Sequence, residues 1–340
     1  MLQLHAMRVR YAFTESVPEN ERPDMGEAPK GRFAPTPSGR MHAGNILSAL
    51  IAWLSIRSAG GTLVLRIEDL DPRAQDREVA KLLMDDLAWL GLDWDEGPYF
   101  QSSRHEIYRE AVAQLTERGL TYPCFCTRAE LHAASAPHAS DGTYVYQGTC
   151  RHLTPEEVAA KAAVRKPAIR LIVPDAEDPA GTISFTDMVY GPKTEVLARE
   201  CGDFLIQRSD GVCAYQLAVT IDDGLMGVTQ VVRGHDLLGS CARQIYLQRL
   251  FGLKTPQYAH VPLLMSPAGR RLSKRDHDLD LGVMRKRYGH PGPIIGMLAS
   301  AVGLAEQGEE VLPQDLVPRF SWDIIRAHRA DIVVNDAFLW

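Results

Sequence analysis

Four groups of residues in this chain have types and spacings suited to chemistry on anionic ligands, and a fifth suits a metal. The first is Arg32-Phe33-Ala34-Pro35-Thr36-Pro37-Ser38-Gly39, followed by His42-Ala43-Gly44-Asn45. Prolines hold such a segment extended, and glycines let backbone approach a ligand closely. At a helix start, free amides with His42 beside them favour a phosphate; taken alone, a turn that only caps the helix explains the same residues. The second group is Arg271-Leu272-Ser273-Lys274-Arg275, behind a Ser266-Pro267-Ala268-Gly269 turn. Three cations in five residues suit an anion-binding loop, although a solvated basic loop has the same composition. The third, Arg66-Ile67-Glu68-Asp69-Leu70-Asp71-Pro72, sets acids at the end of a strand. A glutamate there can hold an ammonium group; the bland reading is a solvated turn with Asp71 as a cap. The fourth joins Tyr215, in Ala214-Tyr215-Gln216-Leu217-Ala218, to Arg233, in Val232-Arg233-Gly234-His235-Asp236. Arg32 and Arg233 at two strand ends offer guanidiniums that pair bidentately with carboxylates, or failing a ligand must form internal salt bridges.

The fifth group is Cys124, Cys126 and Cys150, while Cys201, Cys213 and Cys241 are scattered. Six cysteines are too sparse for a disulfide scaffold, so a metal cluster with three packing thiols in a reducing cytosol is expected. A structural zinc takes four ligands, and His132, His138 and His152 are all near enough in sequence to supply the fourth.

The elements that must position these residues follow from periodicity. Ile46, Leu47, Leu50, Ile51 and Leu54 share one helical face, stopped by Gly60-Gly61, and 62–67 (TLVLRI) reads as a buried strand. Residues 76–90 and 104–118 are predicted helices, stopped by Gly91 and Gly119. That alternation predicts parallel βαβ units of a doubly wound sheet. From Cys124 to about Pro192 the chain turns short and irregular: 133–140 is an expected mobile loop, and 168–173 and 182–185 are candidate strands of an insertion. Alternation then resumes, with 215–221 helical or extended, a strand at 228–233, a helix at 238–251 and a strand at 260–264. The expected organisation is a flexible leader (1–29), the first half of a Rossmann-like core (30–123), an insertion (124–192), the second half of the core (193–265), and a loop with a small helical region (266–340). Met25 is a candidate natural start.

Composition narrows the class. The chain has 340 residues, 45% hydrophobic and 24% charged, with a formal net charge of -6. That is ordinary globular composition. No run approaches the roughly 20 apolar residues of a membrane span, and the N-terminus lacks the apolar core of a secretory signal. The acidic balance argues against a non-specific DNA coater but leaves room for a nucleic acid on a local basic patch. Arg285, Lys286 and Arg287 are candidates for such a patch.

An H-x-G-x turn after the first strand and an x-x-S-K-x loop after the last match the HIGH and KMSKS signatures of class I aminoacyl-tRNA synthetases. Activating a carboxylate with ATP builds negative charge on the α-phosphoryl group and on pyrophosphate, so donors are needed at both ends. One preorganised donor is worth about 3 kcal/mol of transition-state stabilisation. The segments RFAPTPSG, HAGN, RIEDLD, GLDWDEGPYFQSSR, DFLIQRSDGVCAYQLA, VVRGHDLL and RLSKR, in this order, resemble glutamyl-tRNA synthetases from about Gly31 to about Gly303. The resemblance implies an α/β Rossmann-like class I catalytic core. It also implies a glutamate pocket of Arg32, Phe33, Ala34, Pro35, Thr36, Ser38, Glu68, Tyr215 and Arg233. Glu68 would hold the α-amino group and the arginines the carboxylate charge. His42, Gly44, Asn45 and Lys274 would contact ATP, with His42 and Lys274 catalytic and Mg2+ expected with the nucleotide. Arg271 and Arg275 depart from the usual lysine and serine of KMSKS, while Lys274 is kept.

Only 65 residues follow Arg275, too few for a helical anticodon-binding region of about a hundred residues or more. The chain therefore resembles the truncated glutamyl-Q tRNA(Asp) synthetases, expected to be cytoplasmic. That resemblance implies ATP-dependent activation of L-glutamate without tRNA present, and transfer to the queuosine base at the wobble position of tRNA(Asp). It also implies one structural Zn2+, since Tyr146-Gln147-Gly148-Thr149-Cys150 matches that family's Y-x-x-x-C; Tyr146 is the expected fourth ligand and His152 the second choice. The alternatives are a shortened glutamyl-tRNA synthetase charging tRNA(Glu) and a non-catalytic paralogue that binds glutamate or nucleotide. A small-molecule nucleotidylyltransferase shares the H-x-G-x turn but predicts neither the cysteine cluster nor the pocket segments.

Overall fold

A computed structural model describes residues 28–127, 129–131, 145–267, 269–270 and 280–334. Nearly all of the expected leader, the 133–140 loop, His132, His138, Arg271, Lys274 and Arg275 lie outside these residues. The core is one sheet in the order β3-β2-β1-β9-β10-β6-β7. Its strands are β1 (Lys30–Phe33), β2 (Thr62–Ile67), β3 (Glu96–Phe100), β6 (Thr182–Asp187), β7 (Gly191–Val196), β9 (Gln230–Gly234) and β10 (Gln257–Val261). Every neighbouring pair is parallel except β6–β7, an antiparallel hairpin at the edge.

Parallel strands covered on both faces need continuous apolar runs, and β2 is buried from Leu63 to Ile67. α1 (Ala43–Ser58) covers one face. It buries Ile46, Leu47, Leu50, Ile51, Trp53, Leu54 and Ile56, nearly its whole circumference, because a further helical layer lies outside it. Each such Leu or Ile contributes about 2 kcal/mol of burial. α2 (Arg77–Leu90) joins the same core through a single stripe of Ala80, Leu83, Leu87 and Leu90. Asp76 caps its start and left-handed Gly91 its end. α3 (His105–Glu117), α5 (Tyr215–Leu225) and α6 (Cys241–Phe251) build the second core on the opposite face. The strands alternate between the two: Val232 and Ala259 face the first core, Val231 and Tyr258 the second.

A separate antiparallel sheet, β4 (Thr121–Cys124), β5 (Ala168–Leu171) and β8 (Phe204–Gln207), carries the cysteine cluster, with α4 (Pro155–Val164) beside it. The C-terminal part adds α7 (Leu281–Tyr288), α8 (Gly292–Ala301) and a short parallel pair, β11 (Leu264–Met265) with β12 (Ile332–Val333). Among the described residues no helix is long and apolar enough to cross a membrane.

The structure departs from the sequence reading in several places, the unread helix α4 among them. The stretch read as an insertion strand at 182–185 is part of the β6–β7 hairpin, which bonds onto the main sheet through Tyr258 and Asp187. A short amphipathic strand does not reveal which sheet edge it will join. The strand expected at 260–264 begins earlier, at Gln257, whose polar side chain hides it from an apolar-run search. The helix expected from 238 starts as a 3-10 turn, His235–Ser240, before α6. β3 went unread because Gly97-Pro98 inside it signals a turn.

Candidate active site and metal cluster

The carboxyl ends of β1, β2 and β9 lie side by side, so Arg32, Glu68 and Arg233 reach one edge of the sheet. Arg32 is buried. Its Nη1 donates to the Val232 carbonyl at 2.9 Å, while Nε stands 3.8 Å from Asp223 and has no hydrogen-bond partner. Arg233 is also buried: Nε donates to His260 Nε2 at 3.0 Å, Nη2 donates to the Leu237 carbonyl at 3.2 Å, and Nη1 is unpartnered. The nearby acids are already engaged. Arg66, with no exposed surface, donates to Asp223 at 2.6 Å and to Glu68 at 3.2 Å. Asp222 accepts from Arg104 at 2.7 Å, Tyr108 at 2.8 Å and Gln101 at 2.9 Å. Among the described residues, Arg32 and Arg233 are thus buried cations with no carboxylate at hydrogen-bonding distance. An unmade buried hydrogen bond costs about 1–3 kcal/mol, and more at a charged group. An anionic ligand removes that cost.

Glu68 is half-buried, and its amide donates to the Pro35 carbonyl at 3.0 Å, which ties it to the RFAPTP segment. Burial raises its carboxyl above the ordinary value, against the lowering effect of Arg66 and Arg32. Tyr215 opens α5, within electrostatic reach of Arg233, Glu68, Arg32 and Asp223; burial pushes its phenol up, which keeps it a neutral donor. Phe33, Ala34 and Pro35 are half-buried, whereas Thr36 and Ser38 are exposed on the turn where the Ser38 amide donates to the Thr36 carbonyl at 2.8 Å.

His42 precedes α1, and its carbonyl accepts from the Asn45 and Ile46 amides at 2.9 and 3.1 Å. Asn45 is exposed. A Cβ on Gly44 would stand 3.2 Å from the His42 ring, tight enough to press on it. Lys274 lies outside the described residues, but both ends of its segment are fixed. The Ser266 amide donates to the Arg270 carbonyl at 2.7 Å, and the Leu281 amide donates to the Met41 carbonyl at 3.0 Å. His42 and Asp280 form a β-bridge. Asp280 and Leu281 therefore run beside the chain entering α1. Arg285, a candidate for nucleic-acid contact, is engaged with buried Asp86 at 3.2 Å and lies over the Trp89 ring at 4.5 Å.

In the smaller sheet the Cys124, Cys126 and Cys150 sulfurs lie within 4.8 Å of one another, a group able to hold a metal ion. The Tyr146 hydroxyl is 3.6 Å from both Cys124 and Cys126 sulfurs, and Cys126 and Cys150 sulfurs are 3.6 Å apart. A tetrahedron with metal–sulfur bonds of about 2.3 Å has edges of roughly 3.8 Å, close to these separations. Tyr146 is placed by pairing with Gly202, where a Cβ would meet the Tyr146 carbonyl oxygen at 2.4 Å and φ is +62°. Arg170, buried, donates to Cys124 Sγ at 3.2 Å and lies 3.6 Å over the Tyr146 ring. Burial raises the Cys124 thiol, but the Arg170 and Tyr146 hydrogen bonds outweigh it and hold the group below its ordinary value. His152 is exposed and stands outside the group.

Sequence reasoning missed the residues that support the pocket: Arg66, Asp222, Asp223, His260 and Asp187. A signal existed for the first three. Arg66 interrupts an apolar strand, and Asp222-Asp223 sit on the inward side of a helix, so each needs a buried partner. His260 and Asp187 carried none.

A family profile described as tRNA synthetases class I (E and Q), catalytic domain, matches residues 30–313. The chain is 48% identical to the glutamyl-Q tRNA(Asp) synthetase of Symbiobacterium thermophilum, over 89% of this chain and 94% of that protein. It is 45% identical to the glutamyl-Q tRNA(Asp) synthetase of Nitratidesulfovibrio vulgaris, over 85% of this chain and 90% of that one. Among solved structures it resembles a glutamate tRNA ligase from Elizabethkingia meningosepticum bound to its amino acid. The TM-score is 0.73 at 26% identity, covering 92% of this chain and 68% of that one.

Proposed function

We infer the reaction from family and pocket together: the chain belongs to the class I tRNA synthetases of the glutamyl-Q tRNA(Asp) synthetase family, and it is an ATP-dependent ligase. It activates L-glutamate with ATP and transfers the glutamyl group to queuosine-modified tRNA(Asp). An oxygen of the glutamate α-carboxylate attacks the α-phosphorus of ATP, the bond to the bridging oxygen breaks, and pyrophosphate leaves with the electron pair. A hydroxyl of the queuosine ring then attacks the acyl carbon of glutamyl-adenylate, AMP leaves, and an ester remains.

The observation that carries the residue assignment is the pair of buried guanidiniums, Arg32 and Arg233, each with a nitrogen lacking a partner. In our reading they take the carboxylate charge of glutamate, while Glu68 holds its ammonium group and Tyr215 donates as a neutral phenol. Phe33, Ala34 and Pro35 form the wall, and Thr36 and Ser38 line its mouth. His42, Gly44 and Asn45 at the start of α1, with Lys274, hold the phosphates, and Mg2+ accompanies the nucleotide. Positioning and preorganised charge then supply the acceleration. The leader, split-core, insertion and tail boundaries expected from sequence complete the proposed organisation, in the cytoplasm.

The metal is zinc in this reading, held by Cys124, Cys126, Cys150 and Tyr146. What supports it is a sulfur-rich donor set at near-tetrahedral separations, a combination that zinc favours. Bound zinc would pin β4 to the 145–150 turn and so fix the smaller sheet. The test of the whole reading is glutamate-dependent exchange of pyrophosphate into ATP without tRNA. Arg233→Ala is expected to abolish it at ordinary glutamate concentrations, and exchange that persists with unchanged glutamate KM contradicts the pocket.

A further inference from the structure

Behind Arg233 lies a chain of buried groups that the reaction does not itself require. The β9–β10 register sets Arg233 opposite His260, and β10 pairs with β6 at Tyr258 and Asp187. His260 and Asp187 have no exposed side-chain surface. His260 Nδ1 is 2.7 Å from Asp187 Oδ2, and His260 Nε2 is 3.0 Å from Arg233 Nε. The second carboxylate oxygen, Oδ1, accepts the Val189 and Tyr190 amides at 3.0 and 2.8 Å, so the carboxylate cannot turn.

We propose that Asp187 and His260 are positioning residues for glutamate: the carboxylate fixes the imidazole tautomer, and the imidazole orients Arg233 so that its free Nη1 meets the substrate. This rests on the pocket assignment above. The donors and acceptors allow one arrangement. Arg233 Nε–H can only donate, so His260 Nε2 must accept, and His260 Nδ1–H must then donate to Asp187. Facing His260 are Asp187 from β6, Arg233 from β9, Arg32 from β1, Cys241 from α6 and Tyr258 on its own strand. Burial first, then the Arg233 and Arg32 charges, with Asp187 opposing, push the imidazole down to about 4 and keep it neutral at working pH.

Asp187→Asn separates this role from packing. Its shape is nearly unchanged, and its amide oxygen keeps the two backbone donors. The amide NH2 then faces His260 Nδ1, which must accept, so Nε2 gains the proton and opposes Arg233 Nε–H. The experiment measures glutamate and ATP KM by pyrophosphate exchange for wild type, Asp187→Asn, His260→Phe, the double variant and Arg233→Lys. It also reads the His260 tautomer by nitrogen-15 NMR of histidine-labelled protein. Asp187→Asn is expected to raise glutamate KM about tenfold or more, with ATP KM and kcat within about twofold. It should add nothing in the His260→Phe background. In wild type Nε2 should be the unprotonated nitrogen, and in Asp187→Asn the protonated one. A protonated Nε2 in wild type overturns the proposal, as does an unchanged glutamate KM in Asp187→Asn when Arg233→Lys raises it. An unchanged KM in Arg233→Lys overturns the pocket assignment instead.

Discussion

Arg66 has no exposed surface in a strand otherwise made of Thr, Leu, Val and Ile, and its charge is shared between Asp223 and Glu68. Replacing it with Met would take from Asp223 its only hydrogen-bonded cation among the described residues and leave Arg32 at 3.8 Å, and we expect a loss of about 3 kcal/mol, readable as a lower denaturant midpoint. Glu68 also accepts from Arg66, but glutamine in its place keeps the shape and the acceptor oxygen, so its loss should show in binding more than in folding. Glu68→Gln should raise glutamate KM about tenfold or more while leaving ATP KM nearly unchanged. Its carboxyl lies above the ordinary glutamate value, chiefly through burial, and only the ionised form can hold an ammonium group. Glutamate kcat/KM should therefore fall as pH drops through that raised value, earlier than an exposed carboxylate would dictate, and Glu68→Gln should remove this limb of the profile. Glu68 and Arg233 follow recognisable apolar runs and Arg32 opens the RFAPTPSG segment, so their places at strand ends were legible. His260 and Asp187 were not. Their roles come from contacts across the sheet between segments distant in sequence, which no local pattern encodes.

At the scale of elements, the β6–β7 hairpin is the piece whose strand 182–185 the sequence reading gave to the insertion and the structure gives to the main sheet, and its docking has a titration signature. His260 is pushed down from 6.5 to about 4, so the unfolded chain binds a proton there that the folded chain refuses. The stability it contributes is complete above pH 6.5 and is lost as pH falls toward 4, by about 3 kcal/mol. Asp187, whose carboxyl is held low by His260 and two backbone amides against the cost of burial, adds a further loss at lower pH. Denaturant midpoints across this window should fall in wild type and flatten in His260→Phe. The smaller sheet has a different dependence. If zinc bridges β4 and the 145–150 turn, chelation should remove one equivalent and lower the melting temperature. Tyr146→Phe should retain less zinc than wild type at matched pH. The long helices and β2 were legible from apolar spacing and glycine stops, whereas β3 and β10 were hidden by Gly-Pro and by polar first residues.

At the scale of the molecule, the acidic chain meets a polyanionic partner. Arg285, one of three adjacent cations in the basic turn of α7, already carries Asp86 and Trp89, and Arg287 lies over the Tyr288 ring at 5.3 Å, so exposed Lys286 is our candidate for RNA contact. The order of motifs along the chain made the family legible, since a carboxylate-activating cleft needs phosphate donors after the first strand and after the last. What the motifs do not encode is which hydroxyl receives the glutamyl group. That choice separates this family from synthetases that charge a tRNA end, and it is the claim on which the whole account depends. The direct measurement is incubation with radiolabelled glutamate, ATP and tRNA(Asp) purified from cells that make queuosine or from cells that cannot. Label should appear only on the queuosine-containing tRNA and, after nuclease digestion, should be recovered with the anticodon fragment and not with the 3' terminal adenosine. Label on both tRNAs, or on the 3' terminal ribose, would contradict the account.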